Sequence, residues 1–88
     1  MNEKLISYLK SICSSDLTIR AARGLDEKSS EKLLDIFDDF DLGDCVIFYL
    51  CKMPSIINRV ENDLREKGYI SPSLEDMIFK VSYKLGYC

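Results

Sequence analysis

Apolar residues recur at helical spacing in four stretches of this chain, and this periodicity constrains the fold more than any other feature. A repeat of i, i+3, i+4 and i+7 places apolar side chains along one face of an α-helix. The clearest stripe consists of Leu33, Ile36, Phe37 and Phe40, widened by Leu34. Polar and charged residues fill the other positions, so the pattern predicts amphipathic helices around one small core.

Capping residues and glycines set the bounds of the predicted helices. Ser, Asp and Pro favour a first helical turn, whereas Gly favours a stop. The sequence predicts four helices, over residues 3–14, residues 27–40, Pro54 to Gly68 and Ser71 to Gly86. In this prediction Gly43 follows the second helix and ends it.

Two segments do not show a clear period. In residues 16–24, Leu17 and Ile19 alternate with polar residues as in a strand, and we predict a loop with short extended pieces. Residues 45–51 (CVIFYLC) form an apolar run too short to separate a strand from a buried helix. Because a lone two-stranded ladder is marginally stable, we predict an all-α, four-helix single domain. The alternative retains one short strand pair between residues 17–20 and 45–50.

The charge of the chain is strongly asymmetric. Residues 26–44 contain eight acids and two lysines, a net charge of −6, whereas the other 69 residues sum to +3. Asp38, Asp39 and Asp41 crowd the negative end of the predicted second helix, where each costs a few tenths of a kcal/mol. This placement suggests a functional role, although such acids also serve solubility. We predict that a protein with a basic surface binds a set of five acids: Glu31, Asp35, Asp38, Asp39 and Asp41.

Several kinds of chemistry lack the residues that they need. The chain has no histidine, which excludes catalytic triads, Cys-His dyads and imidazole metal sites. Its four glycines are spread singly, so no phosphate-binding loop is present. The sequence pI near 4.8 and the net charge of −3 disfavour nucleic acid. We therefore predict a non-enzymatic protein without a cofactor, whose oligomeric state is left open.

The four cysteines, Cys13, Cys45, Cys51 and Cys88, include no C-x-x-C pair, so no metal site is predicted. We expect the first three to be buried thiols in a reducing compartment and Cys88 to be an exposed thiol. The longest uncharged run has seven residues, far short of a membrane span, and the N-terminus lacks a secretory signal pattern. These features predict a cytoplasmic protein that does not bind membranes.

The acidic segment carries a resemblance to a known family. Its run LDEKSSEKLLDIFDDFDL is similar to the part of acyl carrier proteins that begins at the phosphopantetheine serine and ends in Phe-Asp-aliphatic, here Phe40-Asp41-Leu42. The chain most resembles a divergent, short family of carrier-like proteins of unknown function. This alignment implies an all-helical fold with core positions at Leu33, Leu34 and Ile36.

The resemblance also implies a docking role without a clear attachment site. Asp26 stands at the position that matches the prosthetic-group serine, and the nearest serines are Ser29 and Ser30. In carrier proteins the acids of this helix dock basic patches of partner enzymes. The resemblance extends that role to four residues of this chain: Glu31, Asp35, Asp38 and Asp39.

A second resemblance covers the last third of the chain. The run PSIINRVENDLREKGYISPSLEDMIFKVSYKLGY is similar to the C-terminal half of small four-helix bacteriocin immunity proteins. Those proteins meet basic toxins with acidic faces. The alternative function is therefore an immunity or inhibitor protein that blocks a toxin or another basic target.

Overall fold

The structure, a computed structural model, describes residues 2–13, 15–39 and 42–86 of the 88-residue chain. These residues form no strand and fold into six α-helices: α1 (Glu3–Ile12), α2 (Asp16–Arg23), α3 (Glu27–Phe37), α4 (Leu42–Lys52), α5 (Ile56–Glu66) and α6 (Pro72–Lys84). The all-α prediction is confirmed. The four-helix count is wrong by two helices, and the alternative strand pair is wrong because both of its segments are helical.

The four predicted stripes correspond to α1, α3, α5 and α6. Gly68 and Gly86 follow α5 and α6 with φ of 85° and 79°, a left-handed conformation that glycine adopts without steric cost. Both predicted stops are therefore confirmed. The helix α3 ends at Phe37, earlier than the predicted residue 40.

The segment predicted as a loop forms α2. Ser15 caps this helix, since its hydroxyl accepts a hydrogen bond from the Thr18 N–H at 3.3 Å. Helical geometry buries Thr18, Ile19 and Ala22 on one face and leaves Leu17 65% exposed. Leu17 and Ile19 therefore lie on opposite faces of a helix, and the prediction of a loop with short extended pieces is wrong.

The apolar run in residues 45–51 lies within α4, which packs against α3, α5 and α6. Cys45, Val46, Tyr49 and Leu50 are buried, and contact on several sides explains why the run shows no polar face. The prediction that Gly43 ends a helix is wrong, because Gly43 is buried in the first turn of α4. A Cβ at Gly43 would lie 2.5 Å from the carbonyl oxygen of Phe37, so only glycine allows this close approach.

A threonine of α2 stabilises the end of α4. The Leu50 carbonyl would normally accept a hydrogen bond from the amide of residue 54, but Pro54 has no N–H. The buried Thr18 hydroxyl donates to this carbonyl at 2.6 Å instead. Because an unpaired buried carbonyl is costly, this contact fixes α2 on α4.

One cluster of buried side chains receives residues from all six helices. Its fully buried members include Leu5 and Leu9 of α1, Leu33 of α3 and Ile78 of α6. At its edge, Tyr8 stacks on Phe37 with ring centroids 5.3 Å apart and joins α1 to α3.

The cysteines differ from the sequence-based expectation. Cys13 and Cys51 form a disulfide between the ends of α1 and α4, with Cα atoms 5.8 Å apart, and Cys45 is disulfide-bonded as well. The prediction of free thiols at these three positions is wrong, because the fold brings together residues 38 positions apart in sequence. Cys88, predicted to be an exposed thiol, lies outside the described residues.

Disulfides persist in oxidising compartments, so these cysteines do not support a cytoplasmic location, which stays a prediction. Within the described ranges, no helix has the length and apolar character needed to cross a membrane.

Candidate partner-binding groove

The acidic side of α3 is the outer face of an amphipathic helix. Leu33 and Phe37 are buried against the core, and the acids on the other side are exposed. This acidic face consists of Glu27, Glu31, Asp35 and Asp38. The helix has 11 residues and is about 16 Å long, so the acids follow one another along about three turns.

The acids after α3 are not all unfavourably placed. The Asp39 carboxylate accepts a hydrogen bond from the N–H of Leu42, the first residue of α4, at 2.8 Å. Asp39 therefore lies near the positive end of the α4 dipole, where an acid is stabilising. Asp39 follows the C-terminal end of α3, as predicted. The prediction did not include α4, which begins three residues later and stabilises the same carboxylate at its positive end. Asp41, another predicted binding residue, lies outside the described residues.

A groove of about 450 Å³ runs beside the acidic face. We call it the acidic groove; its lining comes from α3, the start of α4, the loop after α5 and the start of α6. The lining residues are Lys32, Asp35, Ile36, Asp39, Leu42, Gly68, Tyr69, Ile70, Pro72 and Glu75. Asp35 and Asp39 are thus brought together, whereas Glu31 and Asp38 lie on the exposed face of α3 outside this lining.

Of the ten lining residues, the sequence-based prediction named only Asp35 and Asp39, and the residues that it missed include the three other polar side chains: Lys32, Tyr69 and Glu75. Tyr69 is 59% exposed, and Glu75 comes from the first turn of α6. The turn at Gly68 brings this loop close to α3, since a Cβ at Gly68 would lie 2.6 Å from the Lys32 Nζ. The sequence predicted that Gly68 ends a helix, but it did not predict that the loop at Gly68 lies close to α3.

The N-terminus of α3 is fixed by Asp26, the residue that matches the carrier serine. Its Oδ1 accepts from the Ser29 N–H at 2.6 Å, and its Oδ2 lies 3.5 Å from the Nε of Arg65 on α5. The pKa of Asp26 is lowered, mainly because Ser29 donates to the carboxylate and also because Arg65 is nearby. Asp26 therefore acts as a helix cap and an ion-pair partner.

The serines nearest to that position are not accessible. Ser29 and Ser30 are 1% and 2% exposed, and the Ser30 hydroxyl donates to the Asp26 carbonyl at 2.9 Å. Neither serine presents a hydroxyl to a modifying enzyme in this fold.

Comparison with protein-family models, with curated proteins and with solved structures found no match to this chain.

Proposed function

We propose that this protein is a non-enzymatic interaction module that docks a basic partner protein through the acidic face of α3 and the acidic groove. One observation carries the proposal. Asp35 and Asp39 share the acidic groove with apolar side chains of Ile36 and Leu42 and with the exposed ring of Tyr69.

A groove that combines acids, apolar side chains and an exposed tyrosine is more typical of a protein-binding site than of a surface that only interacts with water. Tyrosine is enriched among residues that contribute most to binding, since it buries a large ring and offers one hydroxyl. Carboxylates around an apolar floor attract lysine and arginine, increase the association rate and exclude acidic partners. Glu31 and Asp38 extend the same charge along α3.

Two forms of the proposal differ in what the docking achieves. A carrier-like module would present a group attached to a serine, whereas an immunity-like inhibitor would only cover its target. The burial of Ser29 and Ser30 favours the second form, because docking through the acidic groove requires no attached group. We propose a module without cargo, and inhibition of a toxin or another basic target is its most direct use.

The test variant removes charge without removing a helix cap. It combines Glu31→Gln, Asp35→Asn and Asp38→Asn, three exposed positions, and leaves Asp39 to hold the first amide of α4. The control variant neutralises three exposed acids that are not in the lining of the acidic groove: Glu3→Gln, Glu66→Gln and Asp76→Asn. Both variants change the net charge by the same amount, so a difference in their affinities for the partner depends on where the removed charges lie.

The first step captures a partner from an extract of the source organism with the wild-type protein. The captured protein is then purified and titrated on each variant at two salt concentrations. We expect the test variant to lose at least about tenfold in affinity and most of the salt dependence, while the control stays close to wild type.

A zero-length carboxyl-to-amine cross-linker gives an independent measurement. We expect cross-links from the purified partner at Glu31, Asp35 or Asp38. Equal affinities for the two variants, with cross-links spread evenly over all acids, would contradict the proposal.

A further inference from the structure

A second groove, of about 440 Å³, lies on α1 and α2. Lys10 of α1 and Arg20 and Arg23 of α2 line it together with Cys13, Asp16 and Ile19. On α2 the two arginines are three residues apart and therefore project from neighbouring positions on the helix surface. We call this surface the basic groove.

The cations of the basic groove are available to a ligand. Lys10, Arg20 and Arg23 are exposed, and none forms an ion pair with any residue in the described part of the chain. Apolar side chains are also exposed on the same two helices. Leu17, one turn before Arg20, is 65% exposed, and Ile12, at the end of α1, is 46% exposed. The surface thus has the charge and the apolar area of an interface.

We propose that the basic groove binds the acidic face of α3 of a second copy of this chain. The two surfaces are complementary in charge: the basic groove has three cations, none of them in an ion pair with a described residue, against one acid, Asp16, and α3 presents four exposed acids along one face. Both surfaces have exposed apolar neighbours, Leu17 on one and Tyr69 on the other. Contact between copies therefore pairs charges and also covers apolar area.

A second copy fits the basic groove better than a polyanion does. A nucleic acid carries charge along its whole length and would meet a chain of net charge −3. In a second copy the acid is concentrated in residues 26–44, and the remaining residues sum to +3. The basic groove of one copy can therefore attract the acidic face of another, while the rest of the second copy does not add to the repulsion from the net negative charge.

Self-association does not depend on the proposed partner, but it covers the same acids. The free protein would then hold its docking surface in contacts between copies until a basic partner displaces them. Because the contact joins two different surfaces, each copy contributes its basic groove to one contact and its acidic face to another.

Sedimentation velocity at low ionic strength tests the proposal. One variant, Arg20→Gln/Arg23→Gln, weakens only the basic groove, and another, Glu31→Gln/Asp35→Asn, weakens only the acidic face. We expect the sedimentation coefficient of the wild type to rise with concentration and to fall back when salt is added. Each variant alone should lose about tenfold in association constant, because two exposed charge pairs are removed.

Mixing the two variants separates a specific contact from general attraction. The first retains an acidic face and the second retains a basic groove, so the mixture should associate more strongly than either variant alone, and it should stop at pairs. The control variant Arg59→Gln/Lys84→Gln loses the same charge elsewhere and should associate like the wild type.

A wild type that stays monomeric at low salt overturns the proposal, and so does a mixture that behaves like its separate components. Binding of a short oligonucleotide to the basic groove of a monomeric wild type overturns it in favour of a polyanion. Partner binding is titrated at dilutions where the protein is monomeric, so failure of self-association leaves the proposed function standing, and the reverse also holds.

Discussion

Removal of the Cys13–Cys51 disulfide should cost a large part of the stability of this domain. The bond joins residues separated by 38 positions, and closing a loop of that length in the unfolded chain accounts for about 4 kcal/mol. A domain of 88 residues has a total free energy of unfolding of about 4–13 kcal/mol. The variant Cys13→Ala/Cys51→Ala should therefore be marginally stable or fold only at low temperature.

Guanidinium unfolding followed by circular dichroism measures this loss. For a domain of this size the free energy falls by roughly 2 kcal/mol per molar guanidinium, so the midpoint should fall by about 2 M. The control is the wild type before and after reduction, since reduction also opens the bond at Cys45 and should destabilise at least as much.

Two results would refute this reasoning. One is a midpoint of the oxidised double variant within about 0.5 M of the wild type, which would mean that the bond does not restrict the unfolded chain. The other is rapid alkylation of Cys13, Cys45 and Cys51 in the unreduced, denatured wild type, which would show free thiols.

Three further predictions concern single contacts. Gly43→Ala should destabilise by on the order of 2 kcal/mol in urea unfolding, because its Cβ would meet the α3 backbone at 2.5 Å. Gly24→Ala is the control, since a Cβ there lies 3.5 Å from the nearest atom and should leave the midpoint unchanged or higher. Thr18→Val should cost about 1–3 kcal/mol because it leaves a buried carbonyl at the end of α4 unpaired, whereas Thr18→Ser keeps the donor and should cost less; equal losses would contradict this role. The Asp63 carboxylate accepts from the N–H and hydroxyl of Ser71, and these bonds lower its pKa. Its stabilising effect is complete above the unfolded pKa, about 3.9, and is lost as the pH falls through the lower folded pKa. Asp63→Asn should therefore melt lower than the wild type at neutral pH and converge with it in acid, and a constant difference in melting temperature would argue against this cause.

Periodicity alone was sufficient for the four helices of ten or more residues that have one buried and one solvated face, α1, α3, α5 and α6. Within the helix predicted from Pro54 to Gly68, Ile56, Ile57, Val60 and Leu64 recur at helical spacing, and all four are buried in α5. Its stop at Gly68 has the left-handed backbone that the residue type implies. These elements are specified locally, and their identification required no knowledge of their neighbours.

The two helices that were missed depend on tertiary contacts. The helix α2 has only eight residues, which is too short for stability in isolation, and Thr18 connects it to α4. The helix α4 packs against α3, α5 and α6, and its residues 45–51 carry no charged side chain that would mark a polar face. The disulfide has the same origin, because its two cysteines meet only when α1 and α4 are both in place.

The candidate site also has a part that the sequence specifies locally and a part that depends on tertiary contacts. For Asp39 this difference affects the choice of variants. The sequence locates the acids on one helix, but it does not reveal that Tyr69 and Glu75 complete the acidic groove from a loop and a helix far along the chain. It places Asp39 at the C-terminal end of α3 but does not show that the same carboxylate accepts a hydrogen bond from the first amide of α4, because the start of α4 was not recognised. A variant that removed Asp39 together with Asp35 would mix the loss of a helix cap with the loss of a binding charge. Only variants that keep Asp39 attribute a change in affinity to the acidic face itself.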